Sequence, residues 1–193
     1  MFNGLIEGKV VDAVFGVVIP TLVAFLIVGV SLASSPALIG LKYTLLEAIV
    51  VVSIPMLLGL IWNQWAGGAT GFILGSLYAL YYSDQLYAAQ GGGDISLLSN
   101  LVSAMLIGYI AGALGKRSSS YRHMALAGII AGLAGSLLLS VASQFSPILG
   151  GDASGALLIF IPRVLAGLIV PLVARAFLRH KTQTGAELGK KLV

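Results

Sequence analysis

The chain has 193 residues, 58% of them hydrophobic and 9% charged, with a formal net charge of +4 and no cysteine. Its mean hydropathy is +1.01. Soluble domains are about half apolar and about a quarter charged, so this composition excludes a water-solvated globular domain and offers no nucleic-acid-binding surface. The lack of cysteine excludes disulfide scaffolds, thiolate metal sites and cysteine nucleophiles.

Spanning hydrocarbon as a helix takes about 20 apolar residues, and the sequence offers six such runs. The first covers residues 14–32, behind a short start carrying Glu7, Lys9 and Asp12. It lacks the cationic opening of a cleaved signal peptide and reads as a retained helix. After the turn-prone Ser34-Ser35-Pro36 and Gly40, a second helix is expected over residues 45–62. A third, residues 66–82, follows Asn63-Gln64-Trp65 almost at once, which predicts a tight hairpin. The polar, glycine-rich stretch from Ser83 to Ser96, with Gly91-Gly92-Gly93-Asp94, reads as the longest loop. Helices are then expected over residues 97–114, 124–142 and 156–177, followed by a flexible basic cytoplasmic tail at residues 178–193. The expected fold is a compact, all-α bundle of six transmembrane helices forming one membrane domain.

Lysine and arginine near spans stay on the cytoplasmic side. With the N-terminus inside, the inner segments hold Lys9, Lys116, Arg117, Arg122, Arg175, Arg179, Lys181, Lys190 and Lys191, and the outer loops hold only Lys42. This asymmetry predicts both termini in the cytoplasm of a multi-pass protein of the cell membrane. The outer side then carries Asp84, Asp94 and Asp152, with Tyr78, Tyr81, Tyr82 and Tyr87 as either an interfacial aromatic belt or part of a binding surface.

Helices associate in lipid where small residues let backbones approach closely. Gly67, Gly71 and Gly75 make such a stripe on the third helix, with Ala79 beyond. Gly108 and Gly112, with Ala104, make one on the fourth, and Gly128 and Gly132, beside Ala131 and Gly135, on the fifth. These positions are expected to pack helix on helix.

An ionisable side chain at membrane depth costs roughly 2.5–3.5 kcal/mol on insertion scales and is a functional candidate. Two stand out: Glu47 near the outer end of the second helix and Arg163 within the sixth, beside Pro162. They could pair with each other, or Arg163 could snorkel, or its planar fork could hold the carboxylate or phosphate of a solute. Ser99, Asn100 and Ser103, with Gln144 and Asp152 in the last outer loop, could supply further hydrogen bonds. Catalysis is not expected. The two histidines, His123 and His180, fall at cytoplasmic positions, no His-Glu-x-x-His or paired-acid motif lies within a span, and no nucleotide-binding Gly-x-x-x-x-Gly-Lys-Ser/Thr loop occurs. No metal site or cofactor is expected either.

The run Ile54-Pro55-Met56-Leu57-Leu58-Gly59-Leu60, the short turn with Trp65, and Gly67, Gly71 and Gly75 resemble the second and third helices of the substrate-binding S-components of energy-coupling factor vitamin transporters. The segment from Ile107 to Arg117 is similar to that family's glycine-containing exit into a basic cytoplasmic loop. The resemblance covers the whole chain and implies a six-helix subunit that captures a small vitamin-like solute from the outer side. It also implies partners, a transmembrane coupling protein and two ATPase subunits, and small residues on the first helix for docking. Gly29 and Ala33 offer that spacing here. Two other functions remain compatible with the residues: a stand-alone small-solute transporter or channel, suggested by the proline-interrupted helices, and a non-transporting structural or assembly protein in which Arg163 serves only to pair with Glu47.

Overall fold

The computed structural model describes residues 44–90, 95–115, 120–145 and 160–178, and all the regular structure among them is helical. By its internal contacts the chain divides into Met1–Leu46 and Glu47–Val193. Every contact given below is internal to the second unit. The described helices are α1 (Thr44–Ile61), α2 (Gln64–Gln90), α3 (Ile95–Gly115), α4 (Tyr121–Ser143) and α5 (Phe160–Leu178).

Four of these, α1, α3, α4 and α5, are long and apolar enough to cross a membrane. Helix α2 has 27 residues, ample length for a crossing, but its glycines, serines and tyrosines dilute the apolar content below that of the other four. The expected first span and the cytoplasmic tail beyond Leu178 lie outside the described residues.

Local chemistry sets the helix ends. Trp62 and Asn63 alone connect α1 to α2. The Asn63 side-chain Oδ1 accepts a hydrogen bond from the Ala66 backbone N–H at 2.8 Å, capping the orphan amides of the first turn. The long loop expected over Ser83–Ser96 is a correction: α2 continues to Gln90 and α3 begins at Ile95. Leu86, Ala88, Ala89 and the flanking glutamines are good helix formers, so the polar residues from Ser83 to Gln90 belong to helix rather than loop. Ser120 opens α4 with extended backbone, φ −75° and ψ 125°.

Packing gives an antiparallel order. Gly67 of α2 lies against Gly108 of α3, Gly71 against Ala104 and Gly75 against Leu101. A Cβ added to Gly67 would also come within 2.7 Å of the Gly59 Cα, so α1, α2 and α3 meet backbone to backbone at this level. Ser103 of α3 faces Gly135 of α4, and His123 donates through Nε2 to the Leu114 carbonyl at 2.8 Å near the other end of the same pair. Gly128 and Gly167 bring α4 and α5 together, with a Cβ on Gly128 only 2.6 Å from the Gly167 carbonyl oxygen.

The distribution of side chains inverts that of a soluble bundle. On α4 the exposed stripe is Leu126, Ile130, Leu133, Leu137 and Val141, while Ala127, Ala131 and Ser136 are buried. On α5 Ile161, Leu165, Ile169 and Leu172 point outward while Ala166, Ala174 and Arg163 are buried. Large apolar groups outside and small or polar groups inside suit a hydrocarbon solvent, where burial of leucine gains nothing and close backbone approach gains dispersion energy. The protein is membrane-embedded.

Candidate functional site

The approach to the site begins with a proline. Pro55 has no N–H to donate, and its ring would press on the carbonyl four residues earlier in an α-helix. The chain answers by widening: Glu47–Ser53 is π-helical, and α-helical geometry resumes at Ile54. The Ser53 hydroxyl donates to the Ala48 carbonyl five residues back at 2.7 Å, which matches the wider spacing. Single-turn π segments of this kind concentrate at functional sites. Val51 and Val52 at the end of this segment, and Pro55 and Met56 just past it, are wholly buried and anchor α1 to its neighbours.

At the head of the π segment, Glu47 accepts a hydrogen bond and ion pair from Nη2 of Arg163 on α5. Arg163 is 2% exposed, whereas the Glu47 side chain retains 24% of its exposure. The arginine backbone is seated against Gly132, midway along α4, where a Cβ would stand 2.6 Å from the Arg163 carbonyl oxygen. Side chains on a helix lean toward its N-terminus, and this carries the guanidinium from mid-bundle toward Glu47. The pair ties α1 to α5. Removing one partner of a buried ion pair costs about 3–5 kcal/mol, so Glu47 contributes to holding Arg163 there.

The other buried polar side chains of the described residues share this half of the bundle. Ser99, Asn100 and Ser103 form one face at the start of α3, and Ser136 stands in the second half of the antiparallel α4. Ser103 donates across the helix interface to the Gly135 carbonyl at 3.1 Å. Ser136 donates within its own helix to the Gly132 carbonyl at 2.8 Å. Asn100 is 8% exposed, and its amide takes no hydrogen bond from a described residue. Nearby in depth on α2, Tyr78 is buried and stacks on Tyr82, with ring centroids 5.9 Å apart and planes 8° from parallel. Tyr81 points outward instead.

The opposite half carries the cations. Arg122 is exposed at the start of α4, and Arg175 stands near the end of α5 at a similar level. Trp62 and Trp65 are exposed beside them, and Trp65 meets Tyr109 edge to face at 5.6 Å.

The sequence-predicted residues therefore separate into groups. Glu47 and Arg163 are in contact, and Asn100, Tyr78 and Tyr82 lie in the same half. Asp84 stands on the extended α2 rather than in a loop, and Gln144 is exposed at the C-terminal cap of α4. Asp152, Gly29 and Ala33 fall outside the described residues. Sequence reasoning did not single out Ser136, Gly59 or Gly167. Ser136 could have been found four residues past Gly132, on the stripe already read as packed. Among the described residues no three of histidine, cysteine, aspartate and glutamate gather to hold a metal ion. Comparison with protein-family models, with curated proteins and with solved structures finds no match for this chain.

Proposed function

We propose that this chain is the solute-capturing subunit of a membrane uptake system, taking a small anionic, vitamin-like molecule from the side of the membrane where Glu47 lies. In this reading it spans the cell membrane six times with both termini in the cytoplasm. It works with a transmembrane coupling protein and two ATPase subunits, as S-components of vitamin transporters do. The observation that carries the proposal is the concentration of polarity in one half of an otherwise apolar bundle. A buried arginine, a buried asparagine amide that no described residue engages, and a stacked tyrosine pair all lie there. Arginine recognises carboxylate or phosphate bidentately, the amide can donate and accept, and aromatic rings suit a planar solute. The cations Arg122 and Arg175 at the other end support a cytoplasmic assignment for that end.

The Glu47–Arg163 contact favours a second reading, a structural or assembly protein in which the pair is an internal cross-brace. Purification in mild detergent followed by native mass spectrometry separates the two. Solute capture predicts a co-purifying small molecule whose binding falls at least tenfold in Arg163→Ala. Unchanged binding in that variant would remove Arg163 from the site, and an empty protein that Arg163→Ala merely destabilises would establish the brace.

A further inference from the structure

We infer that Asn100 is a specificity-determining contact for the solute, and that the solute bears a neutral amide-type edge; this rests on the solute-capture reading. Such an edge sets a hydrogen-bond donor beside an acceptor, as in a ring carboxamide, a lactam or a cyclic urea. Five polar side chains are buried among the described residues: Ser99, Asn100, Ser103, Ser136 and Arg163. Ser103 and Ser136 donate to carbonyls, Arg163 pairs with Glu47, and Ser99 has a partner of its own. Asn100 alone of this group has no partner among the described residues, although buried polar side chains are in the large majority bonded.

Its place on α3 aims it inward. Leu101, Ala104 and Gly108 meet α2, whereas Ser103 and Ile107 meet Gly135 of α4. Asn100 stands one turn before both Ala104 and Ser103, so it points between these two sides, into the bundle rather than toward lipid. It lies about 7 Å below the start of α3 at Ile95. The residue is 8% exposed, and neither Oδ1 nor Nδ2 is among the sealed side-chain atoms. A buried stem therefore ends in an open polar tip. Across from it on α2, Gly75 lies against Leu101, and one turn further along α2 the buried Tyr78 stacks on Tyr82. Because α2 and α3 run antiparallel, that stack comes within a turn of the depth of Asn100.

A primary amide offers donor and acceptor along one edge, and it forms two parallel bonds only with a partner that has the reverse order, as asparagine does with adenine. A carboxylate or phosphate offers acceptors alone and would set an oxygen against Oδ1. The tyrosine stack beside it suits a planar ring. This recognition requires no change in the Glu47–Arg163 pair.

The probes are benzamide, which has the required edge, and acetophenone, its isostere with a methyl group in place of the amide nitrogen. The melting temperature of the chain in mild detergent should rise with benzamide and not with acetophenone, and Asn100→Leu should erase that difference. Because the native amide makes no structural bond, Asn100→Leu alone should melt within about 2 °C of the native chain or above it. Asn100→Asp, an acceptor without a donor when ionised, should turn the preference from benzamide to benzamidine; where Asn100→Asp does not fold, Asn100→Leu decides. In native mass spectrometry the co-purifying molecule should lose occupancy roughly tenfold or more in Asn100→Leu. The inference is overturned if benzamide acts no better than acetophenone on the native chain, or if Asn100→Leu melts several degrees lower, which would reveal a structural partner for the amide. It is overturned alone if the co-purifying molecule stays on Asn100→Leu at native occupancy, since solute capture then stands without Asn100. A native chain that carries no molecule and ignores both probes removes the solute-capture reading as well.

Discussion

The two halves of the bundle share close glycine contacts and differ in the ion pair that one of them holds. In the half containing Arg122 and Arg175, α1, α2 and α3 touch backbone to backbone at Gly59, Gly67 and Gly108, and α4 meets α5 at Gly128 and Gly167. That contact is dispersion between close surfaces, insensitive to charge and intolerant of volume. In the other half close approach continues at Gly75 and Gly132, and an ion pair and the Ser103–Gly135 hydroxyl-to-carbonyl bond are added to it. The added polar contacts tolerate small displacements and respond to charge.

The largest effect should come from the polar half. Glu47→Met breaks the ion pair of a nearly fully buried guanidinium and is expected to cost about 3–5 kcal/mol, measured by unfolding in mixed micelles. Arg163→Met should cost distinctly less, because the Glu47 carboxylate keeps about a quarter of its exposure and can turn toward water. The double variant should recover much of the loss of Glu47→Met. If both single variants cost the same and the double variant sums them, the pair is not an isolated couple and the distinction between halves weakens.

A second test concerns the shared exterior. Ile130 lies near the middle of α4 and is exposed. Ile130→Lys should cost roughly 2.5–3.5 kcal/mol of membrane insertion, read as lost glycosylation-mapped insertion or as loss of protein from the membrane fraction. On a water-facing helix the same change would be neutral or solubilising. A chain that inserts normally with this lysine does not face lipid at Ile130.

The glycine-packed half predicts a sharp positional contrast. A Cβ on Gly108 would come within 3.0 Å of the Gly67 Cα, whereas one on Gly68 would meet the Tyr109 ring at 3.7 Å, an ordinary contact. Gly108→Ala should therefore destabilise by about 1–3 kcal/mol through overpacking. Gly68→Ala should be neutral or stabilise by up to about 1 kcal/mol through helix propensity. Equal effects at the two positions would mean that backbone approach is not what holds this half together.

Much of this contrast could be read in the sequence, and the exceptions have physical causes. Apolar runs located α1, α3, α4 and α5 to within a few residues, because a lipid-facing stripe of leucine and isoleucine is dense enough to register in any window. Helix α2 was extended by its surroundings: Ser83 to Gln90 is polar by composition yet helical by propensity, and hydropathy reports only the former. The glycine stripes mark where helices can approach, but Gly59 and Gly167 belong to no repeated spacing, and only the three-dimensional arrangement pairs them with Gly67 and Gly128. The sequence offered three fates for Arg163. The carboxylate it meets stands at the head of a π turn, and Pro55 announces a disturbance in the helix without specifying whether it kinks or widens.

The smallest effect distinguishes two buried serines of similar exposure. Ser103 reaches across from α3 to the Gly135 carbonyl, so Ser103→Ala removes a bond between helices, worth on average about 0.6 kcal/mol in a membrane bundle and up to about 1.7. Ser136 returns its proton to Gly132 of its own helix, a carbonyl that the helix ladder already engages. Ser136→Ala should lie within a few tenths of a kcal/mol of the native chain. The hydroxyl bonds of the polar half thus matter only where they join two helices. A Ser136→Ala loss equal to that of Ser103→Ala would show that Ser136 also serves a neighbouring helix, and would draw α4 into the polar cluster as a direct contributor.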